Sequence, residues 1–235
     1  MSAPALPRRG LTRTVLRLHR TALIVWTAFV LGSVAYLVWL TEVTASSCPR
    51  NGMCGAYSGA VSWIGTFMYY SYWAVAAWAS GALIGRELES GTVRLAWTQG
   101  VSPARWLTAK LALPATALVL GGAVFVPVYR WAWSAHRDLR GDSLLFNDVF
   151  ADHGPLVVAY GLCALTAGTL TGLLLRRPLP ALAVSVTLMT LLNRTLESHR
   201  TPDFWPTHLT ETTVVLTTAA LAVAAAFWQL RRSTP

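Results

Sequence analysis

The feature that most constrains this chain is a set of six stretches without a single Asp, Glu, Lys, Arg or His, over residues 21–41, 61–85, 111–129, 154–175, 178–193 and 212–230. A hydrocarbon core of about 30 Å takes about 20 helical residues, so five runs fit and the one from Pro178 is short. A soluble bundle would show a polar side chain on nearly every turn, whereas these runs carry only scattered Ser, Thr, Gly and amide groups. Composition agrees, with 54% of residues hydrophobic and only 12% charged. The reading is an all-α, polytopic membrane protein, a single domain over 1–235. Its six transmembrane helices are expected at 21–41, 61–85, 107–129, 154–175, 178–193 and 212–230.

Orientation follows from the basic residues, which stay on the cytoplasmic side of short loops. The amino end, the 86–110 connection, Arg176 with Arg177, and Arg231 with Arg232 hold 13 of the 19 Lys and Arg residues. Only Glu87 and Glu89 oppose them on that side, while the other side carries more acid than base. The formal charge of +9 is thus a topology signal, and it gives no footing for a nucleic-acid partner. Both termini are expected in the cytoplasm. Ahead of the first span, Leu11, Val15 and Leu18 recur at helical spacing with Arg13, Arg17 and Arg20 nearly opposite. That pattern predicts an amphipathic helix over 10–20 lying on the inner leaflet, with membrane lipids as its partner. A signal peptide is the competing reading; the apolar run is long for one and lacks a small-x-small cleavage site.

Cys48 and Cys54 flank Pro-Arg-Asn-Gly-Met in a loop assigned to the outside, where thiols oxidise. A disulfide is the expectation and two free thiols the alternative. A metal pair has no further Cys or His close by in sequence. Cys163 reads as a packing residue inside the fourth span. No ionisable side chain falls in mid-membrane, which disfavours a proton relay, and the five histidines lie outside the apolar runs without an HExxH pattern. The outer-loop residues Asp138, Asp142, Asp148 and Asp152 read as a solvated acidic loop in preference to a cation site. A phosphate-binding loop needs Gly-Lys-Ser or Gly-Lys-Thr, yet the only lysine, Lys110, stands between Ala109 and Leu111. No catalytic residue, metal or cofactor is therefore assigned to this chain, and any ATP chemistry belongs elsewhere.

The densest charge cluster, GRELESGTVRLAWTQGVSPARWLTAKL over 85–111, lies between the second and third spans. The second helix can continue through GRELES, Gly91 permits a sharp turn, and Thr92 can cap a short helix over VRLAWT that Gly100 ends. Ser102 then reads as an N-cap with Pro103 at the first helical position. The spacing predicts a short helix held crosswise at the membrane surface, a shape suited to docking a soluble partner.

On these residues the sequence resembles the permease subunits of ABC exporters of the second type. Many of them carry an acidic residue, Gly-Thr, a short helix, a Val-Ser turn, and then a basic residue and Lys. The matching positions here are Glu87, Glu89, Gly91, Thr92, Val101, Ser102, Arg105 and Lys110, with Arg94 and Gln99 inside the same segment. Gln99-Gly100 stands where the family commonly has a proline, and Pro103-Ala104 where a basic residue often follows the serine. The resemblance implies a half-transporter: two six-span permeases, identical or paralogous, form a path, and two separate ATPase subunits, which bind ATP and Mg, dock on residues 86–105. It also implies a multi-pass location in a bacterial plasma membrane, and an outer segment between the fifth and sixth spans that dips back toward the membrane.

Trp63, Phe67 and Tyr70 share one stripe of the second span with Trp73 beside it. An aromatic-lined path would take a hydrophobic or amphipathic cargo, such as a drug, an antibiotic or a lipid-like molecule. Interfacial packing of the same rings is the competing reading. Gly81 with Gly85, and Gly168 with Gly172, are expected to pack helices. Two other function classes stay open at this point: a membrane assembly or immunity protein that only binds, and a secondary transporter driven by an ion gradient.

Overall fold

The computed structural model describes residues 8–49, 52–98, 101–140, 144 and 146–233, with side chains from residue 19 onward except 94–96 and 233. Helices make up nearly all of it: α1 (Arg8–Trp39), α2 (Gly55–Trp78), α3 (Arg86–Glu89), α4 (Thr92–Thr98), α5 (Pro103–Ala135), α6 (Asn147–Asp152), α7 (Leu156–Leu175), α8 (Pro178–Glu197) and α9 (Phe204–Ser233). A π-helical stretch, Leu40–Thr44, extends α1, and a second, Ala79–Gly85, joins α2 to α3. No strand occurs among the described residues.

Among the described residues, five helices are long and apolar enough to cross a membrane: His19–Ser47, Pro103–Ala135, Leu156–Leu175, Pro178–Glu197 and Phe204–Arg232. The sequence reading counted six. The sixth, expected at 61–85, falls on α2 and the π stretch that follows it, continuous from Gly55 to Gly85, where Tyr, Trp, Ser and Gly lower the mean hydropathy. Three boundaries also move. Residues 10–20 form part of α1, which runs unbroken from Arg8 to Trp39; of the polar-face arginines Arg20 is exposed, and the side chains of Arg13 and Arg17 lie outside the described residues. The third helix starts at Pro103, where its Ser102 cap predicted, and runs on to Ala135, past the expected end of the span at 129. The outer segment 194–211, expected to dip back toward the membrane, is divided between the last turn of α8, a short connection and the first two turns of α9.

At the centre stands α7, apolar around its whole circumference and accordingly buried on most of it. It packs against α2, α5, α8, α9 and the π stretch before α3. Close approach explains two glycines here. A Cβ on Gly168 would lie 2.6 Å from the Ala76 carbonyl oxygen, and one on Gly172 would lie 3.0 Å from Ile84 Cβ. Gly85 serves the same purpose against Pro178 at 3.0 Å, whereas Gly81 faces open space. Ser185 of α8 ties into the same seam through Ser80 Oγ at 3.1 Å.

One end of the bundle gathers the last turns of α1, the start of α2 and the end of α5, as well as α6. Cys48 and Cys54 form a disulfide there. The Cys54 amide donates to the Leu139 carbonyl at 3.0 Å, and Tyr57 Oη donates to the Ala132 carbonyl at 2.5 Å. At the opposite end, His19 meets Trp78 edge-on at 5.7 Å, and α3, α4 and the first turns of α5 close the bundle.

Candidate functional site

The 86–110 segment is built by local backbone chemistry. Gly91 adopts φ +72°, which reverses the chain between α3 and α4. Its amide donates to the Leu88 carbonyl at 3.3 Å, and the Ser90 amide donates to the Arg86 carbonyl at 3.0 Å. Thr92 opens α4, but its hydroxyl turns back and donates to the Glu87 carbonyl at 3.3 Å, 3.0 Å from Ser90 Oγ. It braces the turn. Ser102 does cap, its Oγ accepting from the Arg105 amide at 3.4 Å with Pro103 next in the chain.

Apolar contacts then fix α4 on the end of the bundle. Val93 is 2% exposed, and Trp97 meets Trp106 of α5 edge-on at 6.4 Å. Leu88, Trp97 and Val101 pack on the cluster that contains Leu107, Leu173 and Leu230. A cleft of about 100 Å³ separates Leu88, Val93 and Trp97 from Leu173, Arg176 and Leu230, at the ends of α7 and α9.

The charges divide into two kinds. Lys110 and Glu87 form an ion pair, with side chains 4% and 22% exposed respectively. They tie the first turns of α5 to α3, so both face inward. Glu89 and Arg105, with Ser90 and Ser102 beside them, are exposed. Gln99 and the Arg94 side chain lie outside the described residues. The sequence-selected set therefore contains an internal strut (Glu87, Lys110), backbone-shaping residues (Gly91, Thr92, Ser102), a packing residue (Val101) and a pair of solvent-facing charges (Glu89, Arg105).

The aromatic stripe of α2 lies on the outside of the molecule. Trp63, Phe67 and Tyr70 are 63%, 60% and 55% exposed. Trp63 stacks on Phe67 at 5.8 Å, and Tyr70 stacks on Trp73 at 4.7 Å. Trp73 turns inward, where Nε1 donates to Thr190 Oγ1 at 2.9 Å.

A match to the family model described as ABC-2 membrane transporter related covers residues 17–199, more than three quarters of the chain and all of the 86–110 segment. The chain belongs to that family. This ABC-2 related protein is accordingly a multi-pass membrane protein and a component of a membrane transporter. No curated protein and no solved structure matches it.

Sequence reading missed the polar cluster at the other end of this ABC-2 related chain. Arg200 donates to Glu211 through Nε at 2.7 Å and Nη2 at 3.1 Å, and through Nη1 to Asn147 Oδ1 at 2.6 Å. Asn147 Nδ2 donates in turn to Glu197 Oε1 at 2.6 Å, and the guanidinium lies 4.2 Å from the Phe150 ring centre. The Arg200 and Glu211 side chains are 8% and 5% exposed. Nearby, Thr66 donates to Asp148 Oδ2 at 2.7 Å, while Asp152 is fully buried with neither carboxylate oxygen hydrogen-bonded. Burial first, and the Asp148 charge second, push the Asp152 carboxyl well above the ordinary carboxylate range. Next to it, burial lowers the His153 imidazole to about 4, helped by Arg130, Arg140 and His208 and opposed by a hydrogen bond to the Val149 carbonyl. The solvated acidic loop expected at Asp148 and Asp152 is thus a partly buried cap. The only sequence signal for it was the placement of Glu211 one residue before an uncharged helical run.

Proposed function

We propose that this chain is the membrane subunit of an ATP-driven ABC exporter, that a separate ATPase subunit docks on residues 86–105, and that Glu89 and Arg105 make its charged contacts. The observation carrying this reading is the contrast within one segment. Glu87 and Lys110 are consumed in an internal strut, whereas Glu89 at the end of α3 and Arg105 in the first turn of α5 face solvent and flank, in sequence, the short helix α4 seated on the ends of α5, α7 and α9. A push on such a helix reaches three long helices at once, and the π stretch Ala79–Gly85 links it to α2 without a break in the chain. Family membership supports an ABC ATPase as the partner. ATP and Mg are bound by that ATPase.

The orientation we adopt puts both termini and this segment in the cytoplasm of a bacterial cell, on the 13-to-6 division of basic residues. A second permease copy or paralogue completes the path. The exposed Trp63, Phe67 and Tyr70 face favours a hydrophobic or amphipathic cargo of drug, antibiotic or lipid-like type.

The test compares Glu89→Lys and Arg105→Glu with Asp203→Lys, an exposed charge at the far end, at equal membrane abundance. Both segment variants are expected to lose ATPase co-purification and export, because mismatching a charge buried against a partner costs roughly 2–5 kcal/mol. Wild-type association in both would reduce the segment to an ordinary loop. Proton-gradient-driven transport by the isolated chain would instead establish a secondary transporter.

A further inference from the structure

Asp148 and Asp152 stand four residues apart on α6 and so share one face of it, yet their carboxylates are held differently. Asp148 is half-buried and satisfied: Oδ1 accepts from the Val149 amide at 2.9 Å and Oδ2 from Thr66 Oγ1 at 2.7 Å. Asp152 is 0% exposed, and neither of its oxygens has a hydrogen-bond partner. Buried polar atoms are paired in the great majority of cases, because an unpaired one loses its hydration without compensation. The charged groups around α6 do not supply the partner. This helix packs mainly against α2, with α5, α7 and α9 around it. Neither α2 nor α7 carries a charged residue; α5 brings Arg130 to this end, and α9 brings His208 and Glu211. Arg130 is exposed and lies over the Trp205 ring, 5.2 Å from its centre, while Glu211 is paired with Arg200. His208 Nε2 accepts from the Leu156 amide at 3.4 Å, and His153, next to Asp152 in the chain, spends Nδ1 on the Val149 carbonyl at 3.0 Å.

What the fold does bring to Asp152 is oxygen. Gly65 of α2 lets two oxygens approach its backbone together: a Cβ there would lie 3.2 Å from Asp152 Oδ2 and 2.6 Å from Tyr129 Oη. Thr66 is the next residue, and its Oγ1, having given its proton to Asp148, presents lone pairs to any further neighbour. The Tyr129 oxygen likewise keeps a lone pair wherever its proton points. Three helices, α2, α5 and α6, thus gather oxygen ligands around one carboxylate that no hydrogen bond satisfies.

We propose that Asp152, with Asp148, Thr66 and Tyr129 beside it, forms a binding site for a monovalent alkali cation, sodium or potassium, at the α6 end of the bundle. All four residues offer oxygen, which suits a hard cation and gives a thiolate- or imidazole-seeking metal no ligand. One carboxylate without a partner balances one positive charge. Calcium usually takes about six to eight oxygens, several of them from carboxylates, and no group of three or more His, Cys, Asp or Glu side chains able to hold a metal occurs among the described residues. The bound ion ties α6 to α2 and α5. Its site lies at the opposite end from residues 86–105, so cation binding and ATPase docking can fail separately.

Thermal unfolding of the full chain in detergent at pH 8, in sodium, potassium or choline chloride at equal ionic strength, tests this directly. Sodium or potassium chloride is expected to raise the midpoint above that in choline chloride by about 3–5 °C at ten times the dissociation constant, and the rise should saturate. Asp152→Asn keeps the shape of the side chain, removes its charge and should lose the rise. Thr66→Val removes one oxygen and should weaken the apparent affinity about fivefold. Asp203→Asn, an exposed carboxyl in the α8–α9 connection, should leave the response intact. Equilibrium dialysis against radioactive sodium or rubidium, the latter standing in for potassium, reads binding without reference to stability. It should find one ion on each wild-type chain and fewer on Thr66→Val at the same concentration. Absence of a bound ion on the wild type, with equal midpoints in the three salts, would overturn the proposal and leave Asp152 as a buried neutral acid. So would an undiminished response in Asp152→Asn, or a rise in calcium chloride with none in the alkali salts.

Discussion

The two ends of the helix bundle handle charge in opposite ways. At the end closed by α6 and the α8–α9 connection, Arg200, Glu211, Asn147 and Glu197 are bonded to one another, and Asp152 is buried beside them. At the end closed by α3 and α4, the strut between Glu87 and Lys110 is internal, and Glu89, Arg105 and Arg176 are exposed. A protein surface that uses up its charges internally is a cap. One that holds a short helix rigid and leaves its charges outward is built to be met by something else. The contrast predicts that substitutions at the first end register mainly as lost stability, and those at the second mainly as lost partners.

The largest stability effect is expected at Arg200. Replacing it by Met leaves Glu211 buried without its bidentate partner, which should destabilise the fold by about 3–5 kcal/mol. Unfolding in mixed micelles provides the measurement. The double change Arg200→Met with Glu211→Met should recover most of that loss, since two apolar side chains carry no desolvation penalty. A single variant as stable as wild type would mean that the network is no cap.

Lys110 comes next. Removing its ammonium as Lys110→Met strands Glu87, but Glu87 is 22% exposed and can reach water. The expected cost is therefore smaller, about 2 kcal/mol. Loosening of α3 from α5 should also appear as faster proteolysis between residues 86 and 102. Equal costs at Arg200 and Lys110 would erase the distinction between the two ends.

Much of this arrangement could be read from residue order, and the parts that could not share a cause. Uncharged runs located α1, α5, α7, α8 and α9 because the bilayer penalises charge directly. Helix ends set by the membrane were harder: α5 ends beyond Tyr129 because a helix need not stop where the hydrocarbon does. Gly91 and Ser102 were legible because backbone geometry and capping are local. Pairing is tertiary. Lys110 and Glu87 both read as docking charges, yet Lys110 shares the buried face of α5 with Trp106, Leu107, Leu111 and Pro114, a helical spacing that marks it as inward. Arg200 and Asn147 stand 53 residues apart on different elements, and no local pattern joins them.

A pH dependence of intermediate size is expected at the capped end. The Asp152 carboxyl is raised in the fold, so the folded state holds a proton that the unfolded chain gives up above its ordinary value of about 3.9; stability falls as pH rises from there. His153 works in the opposite sense. Its folded value of about 4 lies below 6.5, so the folded state resists protonation, and stability is lost as pH falls from 6.5 toward 4. The two slopes oppose each other where the titrations overlap. Asp152→Asn should abolish the decline with rising pH, whereas His153→Gln should uncover more of it. Unfolding measured from pH 4.5 to 8.5 checks both, and an Asp152→Asn profile identical to that of the wild type would remove Asp152 from the account.

The smallest effect on stability belongs to Glu89, and for that reason it is the sharpest test of the contrast. Its carboxylate is exposed at the end of α3 and takes no part in the strut that its neighbour Glu87 makes with Lys110. Reversing it as Glu89→Lys should change unfolding stability by no more than about 0.5 kcal/mol, the ordinary range for an exposed surface site. It also adds a basic residue on the side already rich in them, so the topology signal strengthens and inversion is not a cause of any loss. The adjacent Glu87→Gln, two residues away, should lower stability measurably because it weakens the bond to Lys110. A stability loss in Glu89→Lys as large as that in Glu87→Gln would show that Glu89 also holds the segment together, and the division between strut and outward charge would fail at the position where it is drawn most finely.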